Sequence, residues 1–183
     1  MTPDALPSDG SLRQPDQRSC GPSSLVVARL LLDERYAGSV LPGGSSRFRD
    51  EVLGLHRRVT RPVLAGRLQL PWPRALGTPP WAVARELSTI PPPAASRARL
   101  VLRRGPAYER VESAVRGGRP VPVYVGSRWL PRHVVLAVGA RDEGLDVYDP
   151  AAGRLVAVSR GAFTTSRLRL SGWDRAWFVV LPR

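Results

Sequence analysis

The sequence predicts an α+β domain in which an N-terminal helical part packs on a C-terminal antiparallel β-sheet. Up to about residue 90, apolar residues recur at helical spacing; from residue 100 onward, short β-branched segments separated by glycine, proline and polar turns prevail. Helices come first and an antiparallel sheet later, which is the order of an α+β domain. The 183 residues, 43% hydrophobic, suffice for one domain with its own core, and no internal repeat is present.

Residues 1–18 are polar and turn-rich and are expected to form a flexible lead-in, leaving residues 19–183 as the single domain. Ser19 can cap a helix and Pro22 suits its first turn; Leu25, Val26, Ala28, Leu30, Leu31 and Leu32 continue it to about Arg35, with glycines at Gly38 and Gly43-Gly44 ending it. RFRDEVLGLHRRV (47–59) reads as a second, amphipathic helix. A loop rich in proline and tryptophan then leads into a short helix over 80–90. LVLRR (100–104) is expected as a strand and AYERVESAVRGG (107–118) as a helix ending on glycine. Strands follow at 121–126, 133–141, 144–150, 153–159 and 176–182, and the short ARDEGL connection suits an antiparallel hairpin.

The nominal charge is +13, but all 28 basic residues are arginine, with no lysine and no asparagine. Together with 19 prolines and 17 glycines this looks like the coding bias of a GC-rich, actinobacterial-type genome. The arginines run from Arg13 to Arg183 with only short pairs, a spread that argues against a nucleic-acid partner. One cysteine excludes an internal disulfide and a cysteine-based metal cluster, and His56 with scattered acids does not make a metal site; no cofactor is expected. The opening lacks the basic start and apolar core of a secretory signal, and no apolar run reaches the ~20 residues of a membrane span. A cytoplasmic protein is expected, with signal-independent export left open; oligomeric state is not legible.

The one cysteine, Cys20, falls in the first turn of the first helix. There, free backbone N–H groups and the positive end of the helix dipole favour a thiolate. Taken alone it is as well explained as a small buried hydrophobe. A nucleophile needs a base, and of two histidines His56 lies among arginines on a helix surface. His133 opens HVVLAVG, apolar on both faces and so a central strand. The partner that orients its imidazole must be Asp, Glu or Gln. Asp146 and Asp149 in GLDVYDP both qualify, and Asp149, on the face of Leu145 and Val147 at the strand end, is favoured. Gln14, on the loop before the helix, could hold an oxyanion together with the Cys20 N–H; Gln17 is the nearer alternative. Trp129, Trp72 and Trp81 are candidates to line a cleft.

These segments together resemble the papain-like cysteine peptidases, and most closely the stand-alone relatives of the bacterial double-glycine (bacteriocin-leader-processing) peptidases. The residues that carry the resemblance are Gln14, five residues, then Cys20-Gly21-Pro22 opening a helix; His133 on a strand 113 residues later; and Asp149-Pro150 16 residues after that, followed by Gly153, Arg154, Ser159 and Phe163. The match covers residues 13–33 and 107–163; residues 38–105 carry no family motif. The resemblance implies the papain-like fold, Cys20 as nucleophile, His133 as general base and acid, Asp149 as its orienter and Gln14 as oxyanion donor, acting on a peptide or amide bond through a thioester. The same nucleophile would also serve an acyltransferase or transpeptidase. A papain-like binding module without activity would instead keep Cys20 away from His133.

Overall fold

The computed structural model describes residues 1–60 and 77–183, with the backbone of two short strands between them, β1 (Val63–Leu64) and β2 (Arg67–Leu68), paired antiparallel. Trp72 and most of the proline-rich loop lie outside the described residues. The helices are α1 (Cys20–Leu32), α2 (Glu34–Val40), α3 (Gly44–Val59), α4 (Pro80–Thr89), α5 (Arg104–Arg116) and the short α6 (Arg160–Thr164). The strands β3 (Ser96–Leu100), β4 (Val121–Gly126), β5 (Pro131–Arg141), β6 (Gly144–Asp149), β7 (Arg154–Ser159) and β8 (Arg175–Pro182) form one antiparallel sheet in the order β3-β8-β4-β5-β6-β7.

The expected first helix is two helices. Asp33 takes an extended conformation (φ −125°, ψ 98°), and its carboxylate accepts the Tyr36 N–H at 3.0 Å, so it ends α1 and caps α2; Gly38 then lies inside α2. The apolar run hides this break because a cap works through one side chain and not through periodicity. Residues Leu25 to Leu30 of α1, apart from Arg29, are almost wholly buried. A helix apolar around its circumference belongs inside, and α1 packs on β5, α3 and α4.

The sheet divides the core in two. On β5, Val134, Leu136 and Val138 join α1 to α4, while Val135 and Ala137 join Tyr108 and Val111 of α5 and Phe163 of α6. Side chains alternate across a strand, so a strand apolar on both faces is covered on both. In the chain α5 falls between β3 and β4; the structure sets it, with α6, on the face opposite α1.

One further expectation is corrected. The strand expected at 100–104 is β3, four residues earlier. It pairs with β8 from Ser96↔Pro182 to Leu100↔Phe178, whereas Arg104 opens α5. Its residues, SRARL, are mostly exposed on a sheet edge, where charged side chains discourage further pairing and leave no apolar signal. Within residues 1–18, expected as a flexible lead-in, Leu6 and Leu12 are buried in the core with α1, and the terminal ammonium donates to the Leu31 carbonyl at 3.2 Å. Among the described residues, no helix is long and apolar enough to cross a membrane.

Candidate active site

Cys20 is the first residue of α1 and is only 3% exposed. The expected Ser19 side-chain cap is absent. Its hydroxyl instead closes the preceding turn, donating to the Asp16 carbonyl (3.1 Å) and accepting the Asp16 N–H (3.3 Å). One helical turn after Cys20, the Ser24 hydroxyl donates to the Val134 carbonyl of β5 at 3.3 Å, next to His133. The start of α1 is thereby moored to the start of β5. On the other side, Gly77 and Thr78, just ahead of α4, close in. A Cβ on Gly21 would stand 2.9 Å from Cβ and Oγ1 of Thr78, and one on Gly77 (φ +74°) 4.0 Å from the Cys20 sulfur.

His133 and Asp149 meet through the β5–β6 register. Leu136 pairs with Tyr148, so the start of β5, with His133, lies beside the end of β6, with Asp149, within reach of a side-chain bond. His133 Nε2 lies 2.8 Å from Asp149 Oδ1, both groups buried. With Nε2 so engaged, Nδ1 is the ring nitrogen left for Cys20. Burial presses the His133 pKa down. The Asp149 hydrogen bond, the Cys20 side chain against the ring and the charges of both outweigh it, raising the pKa to about 9. Asp149 is burdened in the opposite sense: burial favours its neutral form. Hydrogen bonds from His133 and Ser171, the His133 charge and the Ala151 N–H overcome this and hold the carboxyl below its usual range. Cys20, His133 and Asp149 are thus brought together from α1, β5 and β6.

Asp146 takes no part. It bonds Nε of Arg141 at 2.6 Å, away from His133. Gln14 reaches the neighbourhood through its backbone, whose N–H donates to the Pro150 carbonyl at 2.9 Å; the side-chain Oε1 is buried with no hydrogen-bond partner. Gln17 is exposed. Trp129 is 69% exposed, at the β4–β5 connection with the Arg128 guanidinium 4.2 Å over its ring, and Trp81 lines a groove between α4 and β3 with Phe178. His56 is on α3, apart from these groups.

Sequence reasoning missed two residues. Ser171 donates its hydroxyl to Asp149 Oδ2 at 2.6 Å; the signal was Ser-Gly between Leu170 and Trp173, a two-residue hairpin turn, but nothing in it points to Asp149. Thr78, fully buried against Gly21, has a hydroxyl without a partner and a carbonyl that accepts from Tyr124 at 2.8 Å.

Neither a family model nor a curated protein matches the sequence. Among solved structures, the chain is similar to a C39-like peptidase from Bacillus anthracis, with 14% identity and a TM-score of 0.54 over 98% of this chain and 95% of that one. It is also similar to the peptidase domain of Streptococcus ComA, a bifunctional ABC transporter of a quorum-sensing pathway, at 16% identity and a TM-score of 0.48 over 93% and 96%. The helices and six-stranded antiparallel sheet described above make this the papain-like fold of the C39 peptidase domains.

Proposed function

We propose that this chain is a cysteine peptidase or amidase with Cys20 as nucleophile. The observation that carries the reading is the buried His133 ring, held between the Asp149 carboxylate and the Cys20 side chain with its pKa raised to about 9. A ring so placed can take the thiol proton and keep it. The Cys20 sulfur then attacks the scissile carbonyl carbon, and the carbonyl π pair moves to oxygen. The Gln14 amide and the Cys20 N–H receive that charge. As the C–N bond breaks, His133 passes its proton to the departing amine and a thioester remains. Water, deprotonated by His133, attacks the thioester; the acid leaves and the proton returns to sulfur. Asp149 stays ionised throughout and fixes the ring tautomer and its aim. The fold shared with C39-like peptidases supports a peptide or protein substrate. The contact between Cys20 and His133 weighs against an inactive binding module, which would keep them apart.

Iodoacetamide at neutral pH should alkylate Cys20 in the folded protein, read by intact-protein mass, and Cys20→Ala should abolish both labelling and turnover of a peptide library. A folded chain whose Cys20 resists the reagent would sink the reading. Gln14→Ala separates the steps. Alkylation has no oxyanion, so its rate should stay near wild type while turnover falls about 100-fold or more, the usual loss for one oxyanion donor.

A further inference from the structure

Ser171 sits in the loop between α6 and β8, at the first central position of a two-residue turn. Leu170 and Trp173 exchange both backbone hydrogen bonds at 2.9 Å, and the central residues Ser171 and Gly172 both have positive φ (+47° and +85°). That is the primed turn that favours Asn-Gly or Gly-Gly. A serine there carries strain that the surroundings must impose. The loop is fixed by the buried Leu168 and Leu170 below it and by the Leu168 N–H to the Asp174 carbonyl at 3.1 Å. The turn tip itself is at the surface, yet its hydroxyl points inward and donates to Asp149 Oδ2 at 2.6 Å.

The donors on Asp149 complete the picture. Oδ1 receives His133 Nε2 at 2.8 Å and the Ala151 N–H at 3.0 Å; Oδ2 receives Ser171. Without Ser171, Oδ2 of a buried carboxylate loses its side-chain donor, and the carboxylate is free to rotate about its last bond away from the ring. His133 is a titratable group felt by Asp149, and the Tyr148 phenol feels the Asp149 charge.

We infer that Ser171 is a positioning residue that holds the Asp149 carboxylate ionised and aimed at His133, its strained backbone being kept for that bond. The inference rests on the reading of Cys20 and His133 as a catalytic pair. It makes Ser171 a requirement of the reaction through Asp149 and not a contact to substrate.

Ser171→Gly and Ser171→Ala test it together. Glycine relieves the positive φ and alanine keeps the strain; both remove the hydroxyl. The expected result is a thermal midpoint for S171G at or above wild type and for S171A at or below it. In both variants alike, the acid limb of the Cys20 alkylation profile should move to higher pH and kcat for a turned-over peptide should fall about tenfold with KM little changed. If S171G keeps the wild-type alkylation profile while S171A does not, the residue serves only the turn and the inference is overturned. The carboxyl titration of Asp149, followed by carbon-detected NMR, separates this from the reading beneath it. It should move upward in both variants even if wild-type Cys20 proves unreactive, and a carboxyl that titrates as in wild type refutes the role of Ser171 whatever Cys20 does.

Discussion

His133 and Asp149 depend on each other in a way that pH should expose. The folded pKa of His133, about 9, lies above the ordinary 6.5, so its stabilisation is fully present below pH 6.5 and is lost as pH rises towards 9. Asp149 is lowered from 3.8, so its contribution is present above that value and is lost as pH falls below it. The pair therefore stabilises the fold most between about pH 4 and 6.5, and on the alkaline side the loss amounts to about 3 kcal/mol at most by linkage. Urea unfolding of wild type should show that decline between pH 6.5 and 9, and His133→Ala should flatten it; parallel curves for the two proteins would refute the pairing. Asp149→Asn removes the charge while keeping the shape. Burial and the Cys20 side chain then remain, and the His133 ring, followed by NMR, should titrate below its wild-type value of about 9.

At the scale of elements, the start of α1 is fixed from both sides: Ser24 ties it to β5, and Thr78, just ahead of α4, leaves no space beside Gly21. Gly21→Ala would drive a methyl to 2.9 Å from a fully buried threonine, so α1 or the segment at Thr78 must shift. The expected cost is about 1–3 kcal/mol, the usual range for overpacking, with Cys20 alkylation slowed because its helix turn has moved. Gly38→Ala, where a Cβ meets nothing within 4 Å, is the control that should leave alkylation unchanged. These elements also show what the sequence could express. HVVLAVG announced a central strand because its apolar residues serve two cores, and the spacing of His133 and Asp149 fits one hairpin, so their meeting is local in the sheet. The break at Asp33 depends on a single capping carboxylate. The edge strand β3 is defined by its partner β8, about eighty residues away, and its arginines face water. The inward bond of Ser171 depends on the path of a whole loop. None of these leaves a periodic trace, which is why they were not legible.

Across the whole molecule, the first fourteen residues act as a strap and not as an extension. The Met1 ammonium holds the end of α1 at Leu31, Leu6 and Leu12 enter the helical core, and the Tyr148 hydroxyl of β6 donates to the Leu12 carbonyl. Gln14 follows, bonded through its N–H to Pro150 beside Asp149. Gly153 lets the strap lie close: with φ +67°, its missing side chain leaves room for Arg13, whose Cβ would stand 2.9 Å from an added methyl. The strap therefore ties the far end of α1 to the end of β6 and holds the Gln14 backbone against Pro150. Leu12→Ala should cost about 2–5 kcal/mol, as for other buried leucines, and Gly153→Ala should also destabilise, since both a strained φ and a backbone contact oppose the methyl. Removing residues 1–9 keeps Leu12 and Gln14 but loses the buried Leu6 and the Met1 contacts, and should cost an amount similar to Leu12→Ala. Turnover should follow the position of Gln14, falling in Leu12→Ala and Gly153→Ala but largely retained in the truncation, while Cys20 alkylation stays near wild type in all three at temperatures where they remain folded. Urea midpoints unchanged in every variant would show that the strap bears no part of the fold. Turnover lost in the truncation as steeply as in Leu12→Ala would place its role elsewhere than at Leu12 and Gln14.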